Sequence, residues 1–438
     1  MNRPQTYAVI LAGGLSSRMG AGFKPLLPLA GVSALALVAD TFRQAGVSGI
    51  LVAAGHRYGE IAAEAQRIGI RCIYNPVYET GMFSTVKAGL AAVPDDARRV
   101  CLTPVDVPLV RPATVTRLLD RLDEPDAPPL VYPMFSGERG HPPCFDAACI
   151  PAILAFDGDG GLRQALAGLP FEEIPVPDAN ILADMDTPEE YAALRVLADR
   201  RDIPTPAEAE ALLAIAQVPP QGLAHARGVA AVAVALGRAL GDAGLALDLP
   251  LLKAAALLHD VAKGRPHHEA AGGALLDRLG FARAGAIVAA HRDCVLPPDA
   301  PLTEREIVYL ADKFVFGRWL VPVAGRFQQK LDLFVADPEA AAAIRRRREN
   351  ALRVLARVEA LLGTHAEAVI DAAGFRPGPP PSEAYDAARQ AMRRGGGMSK
   401  REGGGNGERG ALPRTLPGRC PGPAGGNDSP RTPSALFV

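Results

Sequence analysis

Along residues 1 to about 195, short apolar runs of β type alternate with stretches whose apolar residues recur every three or four positions. This alternation restricts the fold more than any other feature of the chain. "YAVILAG", "GILVAAG", "IRCIYN", "RRVCLTPVD" and "PLVYPMF" are the strand candidates, and "LALVADTFRQAG", "YGEIAAEAQRIG", "MFSTVKAGLAAV" and "ATVTRLLDRLD" lie between them as amphipathic helices. Such repetition predicts an α/β domain over 1–197 with a mostly parallel sheet, which binds ligands at the C-terminal ends of its strands. From about Thr205 the β-type runs almost vanish, and helical spacing continues to about Ala373, so an all-α domain is expected over 205–373. Residues 374–438 open on "GFRPGPPPSE" and turn rich in Gly, Pro and Arg, a composition that cannot bury enough apolar surface to fold and is expected to be disordered.

Two or three domains are the natural division of 438 residues, and 48% hydrophobic with 22% charged residues suits globular domains. The formal net charge of −1 gives no general pull toward nucleic acid or an anionic membrane, so neither is expected as a partner. Forty Arg stand against seven Lys in a chain rich in Ala and Gly, which reads first as coding bias in a GC-rich genome. The first strand runs directly into a glycine loop, without the layout of a signal peptide. The apolar stretch Val229–Leu240 is read as too short to span a membrane, and it carries Arg238. Six scattered cysteines without a CxxC are expected to be free thiols in a reducing cytoplasm.

The segment "VILAGGLSSRMGAGFKPLL" breaks the first strand with Gly13 and Gly14, offers Ser16 and Ser17 as caps for a following turn or helix, and adds Arg18 and Lys24. Backbone N–H groups and fixed positive charge in one place make a phosphate cradle. Neither the G-x-G-x-x-G of dinucleotide sites nor the G-K-[ST] of a P-loop is present. Phosphate chemistry of this kind calls for a divalent cation, and "VCLTPVDVPLV" ends an apolar run at Asp106, well placed to hold one. In "ILADMDTPEEY", Asp184 and Asp186 precede a helix; Asp186 is either a helix cap or a second metal ligand. "NPVYETGMFSTVKAG" (Asn75, Gly81, Met82, Ser84, Thr85, Gly89), "GERGHPPCF" (Gly140, His141, Pro142) and "FDGDGGLRQAL" (Asp159, Gly160, Gly161, Arg163) add turns that open a helix or a strand.

In this order, over about 190 residues, these segments resemble the molybdenum cofactor nucleotidyltransferases, which implies a Rossmann-like nucleotidyltransferase fold. The resemblance implies that a terminal phosphate of molybdopterin attacks the α-phosphate of CTP or GTP, with release of pyrophosphate. Leu11, Ala12, Gly13, Gly14, Ser16, Ser17, Arg18 and Lys24 would hold the triphosphate, with Asn75, Gly81, Met82, Ser84 and His141 completing the nucleotide site. Arg18, Lys24 and Asp106 would be catalytic, and Asp106 and Asp186 would ligate Mg²⁺. GHP and GDGG.R look like the cytidylyl branch and LAGG like the guanylyl branch, so CTP is the expected donor with GTP the alternative. A molybdoenzyme or its maturation chaperone is the implied recipient. Sugar- or alcohol-phosphate nucleotidyl transfer shares the loop chemistry and is the competing reading.

The second half holds "KAAALLHDVAKGRPHHEAAGGALL". His259-Asp260 end an apolar helix that Lys263 and Gly264 terminate. His225 lies 34 residues before His259, His268 nine and His291 thirty-two after it, and Asp312 follows the apolar "IVYL". Imidazole and carboxylate ligands from several helices are a common way to build a metal site in a bundle core. The pattern resembles the HD superfamily of metal-dependent phosphohydrolases over about 220–320. The resemblance implies one metal on His225, His259, Asp260 and Asp312, and a second, bridged by Asp260, on His268 and His291, with Fe or Mn as the expected ions. Asp260 and Lys263 would be catalytic, Lys263 as a phosphate contact; a lysine there also complements the helix dipole. Phosphoester hydrolysis follows, with a non-hydrolytic nucleotide sensor as the alternative. His267 and His365 read as surface residues.

Overall fold

The computed structural model describes residues 3–20, 22–317 and 319–374, so the expected tail lies outside the described residues from 375 onward, as does Cys420. The strands of the main sheet, apart from two short hairpins (Pro28–Leu29 with Val32–Ser33, and Val315–Phe316 with Trp319–Leu320), are β1 (Arg3–Ala12), β2 (Val47–Ala54), β3 (Arg71–Tyr74), β4 (Arg99–Pro104), β5 (Leu130–Phe135), β6 (Glu138–Arg139), β7 (Cys144–Asp146) and β8 (Phe171–Pro175). They form one sheet in the order β8-β5-β7-β4-β1-β2-β3, with β6 paired to β5. β1 runs parallel to β2 and β4, β2 to β3, and β5 to β8; only β6 and β7 are antiparallel to their neighbours. The sheet is therefore mostly parallel, as the alternation predicts.

Around it lie α1 (Ala34–Gln44), α2 (Tyr58–Arg67), α3 (Met82–Leu90), α4 (Pro112–Leu122), α5 (Ile150–Ala155), α6 (Gly161–Ala165) and α7 (Pro188–Ala198). The two-residue period of β1 sends Ala8, Ile10 and Ala12 into one apolar layer with Leu35, Val38 and Phe42 of α1 and Leu118 of α4. Val9 and Leu11 go into the opposite layer with Val86 and Leu90 of α3. Both faces of the sheet are covered, which is why its strands read as continuous apolar runs rather than alternating ones. Of the turn or helix expected after the glycine loop, the structure has the turn. Ser17–Met19 and Lys24–Leu26 are single 3₁₀ turns, and Ser16 makes no cap bond. The first helix begins only at Ala34, where Ser33 Oγ accepts from the Ala36 N–H at 3.1 Å.

The helical part comprises α8 (Pro206–Ile215), α9 (Pro220–Asp242), α10 (Leu249–Leu258), α11 (His268–Arg278), α12 (Ala282–Ala289), α13 (Glu304–Phe314), α14 (Val323–Leu333), α15 (Pro338–Leu362) and α16 (Ala366–Ala372). α9 packs against α10 and α13. It corrects the reading of 229–240, because α9 has 23 residues and is long and apolar enough to cross a membrane. Here 56% of its most apolar window is buried, with Val229, Val232, Ala233 and Leu236 inside the bundle, so its hydrophobicity serves a protein core. The helices α11 and α12 approach closely because Gly273 and Gly285 face each other; a Cβ on either would lie 2.8 Å from the other's carbonyl oxygen. All described residues pack as one unit. The five described cysteines are free thiols.

Candidate functional site

β1 and β4 are neighbours in register, with Leu11 beside Pro104, and the Val105 N–H donates to the Leu11 carbonyl at 3.0 Å. The glycine loop and Asp106 therefore leave adjacent strands at the same C-terminal edge. Four charged side chains meet there in one continuous chain. Arg18 Nη2 lies 2.6 Å from Asp186 Oδ2, Lys24 Nζ also pairs with Asp186, and Lys24 Nζ lies 3.1 Å from Asp106 Oδ2. Burial works against the Lys24 ammonium, but the hydrogen bond it donates to Asp186 and the charge of Asp106 outweigh it and hold its pKa above the ordinary value. The same bond to Lys24 holds the Asp186 carboxyl below its ordinary value. Asp184 is exposed and outside this chain; partial burial, then the charge of Asp186, pushes its carboxyl up. Asp186 does not cap α7. That position belongs to Thr187, whose side chain accepts from Glu190 N–H while Glu190 reaches back, a complete capping box that leaves Asp186 free for the site.

Beside this chain lies a cleft of about 270 Å³ lined by residues 11–16, Lys24, Gly81, Met82, Thr85 and Asp106, together with Tyr78 and Glu79. Gly13 is required by a close approach: a Cβ there would sit 2.3 Å from Thr85 Oγ1. Tyr78 and Glu79 went unnoticed in the sequence because they belong to an isolated 3₁₀ turn with no periodic signal. Several expected site residues are not among the lining residues: Ser17, Arg18, Asn75, Ser84, His141 and Asp186, of which Arg18 and Asp186 reach the cleft's edge only through the ion pairs with Lys24 and each other. Asn75 is a buried strut, its amide donating to Ser84 Oγ at 2.8 Å and Thr85 Oγ1 at 3.1 Å while its carbonyl accepts from Val77 N–H. Burial lowers the pKa of His141 against the opposing charge of Asp106, which keeps the ring neutral near that carboxylate.

In the helical part, Asp260 stands at the centre of four imidazoles. Its Oδ2 lies 3.5 Å from His259 Nε2 and 3.9 Å from His225 Nε2, while its Oδ1 lies 3.3 Å from His268 Nε2 and 3.6 Å from His291 Nε2. His225, His259 and Asp260, and separately Asp260, His268 and His291, each offer ligand atoms within 4.8 Å of one another. The ring orientations suit metal binding. His259 Nδ1 is bonded to the Ala256 carbonyl at 2.8 Å and His291 Nδ1 to the Val288 carbonyl at 2.6 Å, which turns both Nε2 atoms inward. His259 Nε2 is buried without a hydrogen-bond partner, and burial lowers its pKa to about 4, so it presents a bare lone pair. Asp312 Oδ1 lies 3.2 Å from His225 Nε2, but the carboxylate also accepts from Lys313 and Arg326. Lys263 Nζ lies 2.6 Å from Asp260 Oδ2. His267 and His365 are exposed.

The fold and these two clusters define a nucleotidyltransferase-type α/β domain followed by a helical domain with a histidine–aspartate cage. Residues 8–174 match the family described as MobA-like NTP transferase domain, and residues 222–316 match the HD domain. The chain is 32% identical to the molybdenum cofactor guanylyltransferase of Rhodopseudomonas palustris, over 45% of this chain and 97% of that protein. It is 30% identical to the nicotine blue oxidoreductase of Paenarthrobacter nicotinovorans, over 44% of this chain and 97% of that one. It is 29% identical to the molybdenum cofactor cytidylyltransferase of Escherichia coli, over 42% and 92%. The chain belongs to the MobA-like NTP transferases, and it carries an HD domain as its second part.

Proposed function

We propose that the first domain transfers a cytidylyl group from CTP to molybdopterin with release of pyrophosphate, and that the HD domain hydrolyses a phosphoester. The observation that carries the first half is the chain Arg18–Asp186–Lys24–Asp106 at the sheet edge beside the cleft. In this reading Leu11 to Ser16 wrap the triphosphate and Arg18 neutralises its outer oxygens. Lys24, kept charged by its two carboxylates, meets the negative charge that builds on the α-phosphate as the acceptor attacks. Asp106 and Asp186 already share one cation in Lys24, and they are the groups that would hold Mg²⁺, which supplies charge neutralisation on the phosphates. GTP is the second donor reading, supported by a guanylyltransferase among the relatives. The cytoplasm, where free thiols persist, is the proposed location.

In the HD domain, His225, His259, Asp260 and Asp312 would hold one metal and His268, His291 and Asp260 a second, with Fe or Mn proposed. Such ions make a bound water nucleophilic at neutral pH. The chain's own part is to keep His259 neutral by burial, aim the Nε2 atoms of His259 and His291 inward and, through Lys263, hold a phosphate oxygen. Incubation with molybdopterin, Mg²⁺ and each NTP in turn, with pyrophosphate measured, tests the first half. Release with CTP is expected; release only with GTP reassigns the base, and release only with a sugar phosphate as acceptor ends the molybdopterin reading. Metal analysis with an aryl phosphate assay tests the second: metal without turnover leaves a sensor.

A further inference from the structure

The imidazoles around Asp260 differ in what supports them from behind. His259 stands at the end of α10 and His291 just beyond α12, and each rests its Nδ1 on the carbonyl three residues earlier, Ala256 at 2.8 Å and Val288 at 2.6 Å. His268 lacks this support, because it is the first residue of α11 and His267 before it takes a left-handed backbone with φ 48°. Beside its Nδ1 lies Glu269 Oε2 instead, at 3.3 Å. That oxygen is buried and has no hydrogen-bond partner. An acceptor without a partner and a ring nitrogen without a carbonyl thus stand within reach of one hydrogen bond. A proton on Nδ1, donated to Glu269, leaves the His268 Nε2 lone pair facing Asp260 Oδ1, 3.3 Å away.

The other oxygen of Glu269 is held from the neighbouring helix. Arg292 Nη1 lies 3.0 Å from Glu269 Oε1, and Arg292 follows His291 in the chain just as Glu269 follows His268. α11 and α12 form a hairpin that touches at Gly273 and Gly285 and is joined through residues 279–281. His268 and His291 stand at its open end, where no chain connection fixes their separation. One ion pair spans that end. Both of its members adjoin ligands of the second site, whereas His225, His259 and Asp312 of the first site come from α9, α10 and α13.

We propose that Glu269 and Arg292 are positioning residues for the second metal site: their ion pair sets the separation of His268 and His291, and Glu269 holds the His268 ring with its Nε2 lone pair free. The pair governs the affinity of the Asp260–His268–His291 site and leaves the site of His225, His259, Asp260 and Asp312 nearly unchanged. This rests on the two-metal reading above. Arg292 is 48% exposed, and an ion pair so open to solvent adds little to folding by itself, so its effect falls on the metal site rather than on the bundle.

The test uses the full chain, stripped of metal and titrated with Mn²⁺, with free Mn²⁺ read by electron paramagnetic resonance. The wild type is expected to bind two ions per chain, and His268→Ala, which removes a ligand, identifies the second site. Glu269→Gln, which keeps the shape of the side chain, and Arg292→Ala are each expected to weaken that site by about tenfold or more, while the other changes by less than about twofold. Arg292→Lys should recover most of the loss. The double variant should lose no more than the worse single one, since both act through one pair. Unchanged affinities or additive losses in the double variant overturn the proposal. So does equal weakening of both sites with a lower unfolding temperature of the metal-free chain, the result for a pair that only staples the hairpin. A wild type that binds one Mn²⁺ or none defeats the two-metal reading, and the proposal with it.

Discussion

Lys24 is the residue on which the first site turns, since its ammonium bridges Asp106 and Asp186 and ties the glycine loop to two distant loops. Asp106→Ala is expected to lower nucleotidyl transfer by about a hundredfold or more while leaving HD hydrolysis intact, and Asp260→Ala to do the reverse. Loss of both activities in either variant, measured on the same preparation, would point to one composite site. Gly13 makes a second prediction. Its neighbour Thr85 leaves no room for a Cβ, so Gly13→Ala is expected to raise KM for the nucleotide and to cost about 1–3 kcal/mol in chemical denaturation. Adding Thr85→Ala, which removes the two nearest atoms, should restore part of both. The glycine at this position is thus accounted for by packing, which weakens its use as a marker of the guanylyl branch.

At the scale of elements, the sites depend on how helices begin and end. α10 delivers His259 and Asp260 at its C-terminus, and its N-terminus is fixed by Asp248, whose Oδ1 accepts from Leu251 N–H at 3.2 Å. Asp248 also lies 2.6 Å from Arg200 Nη2 and 3.2 Å from Arg283 Nη2. Burial opposes its charge, but the Leu251 N–H and Arg200 outweigh that and lower its pKa from the ordinary 3.8. A depressed carboxyl stabilises the fold above its unfolded value and loses that contribution as pH falls through the folded one. Asp248→Asn should therefore cost about 1–2 kcal/mol near neutral pH, measured by urea unfolding, and the difference from wild type should shrink below pH 3.8. An equal difference at all pH values would mean that the charge of Asp248 is not its cause, since asparagine keeps the oxygen that caps the helix.

At the scale of the whole molecule, Arg111 joins the two halves. Its guanidinium lies 3.4 Å from Glu208 of α8, donates to the Gly280 carbonyl at 3.4 Å and stacks 4.1 Å from the Phe281 ring centre. Its backbone N–H donates to Asp178 at 2.8 Å. All three charged side chains are buried, Asp178 and Glu208 to within 1% exposure. Arg111→Met is expected to destabilise by about 3–5 kcal/mol, because it leaves buried carboxylates without their cation. Thermal unfolding with separate reporters in each half should show both melting earlier; a shift in one alone would deny the link. Because Arg111 lies just five residues beyond Asp106, the variant should also impair transfer.

The strand and helix order of residues 1–195, the helical second half and the individual charged residues were legible in the sequence, because periods of two and 3.6 and the residue types that bind phosphate and metal are local properties. Thr187 as the cap of α7 is also a local matter, a capping box with Glu190 three residues on, whereas Tyr78 and Glu79 at the cleft and the burial of an apolar helix long enough for a membrane depended on which segments pack together. So did the meeting of Lys24 with Asp106 across 82 positions and of Asp312 with Arg326 beside the imidazoles. Local patterning specifies each element and its apolar face. Only long-range packing sets the distances between charges on different elements, and those distances determine what the two sites can bind.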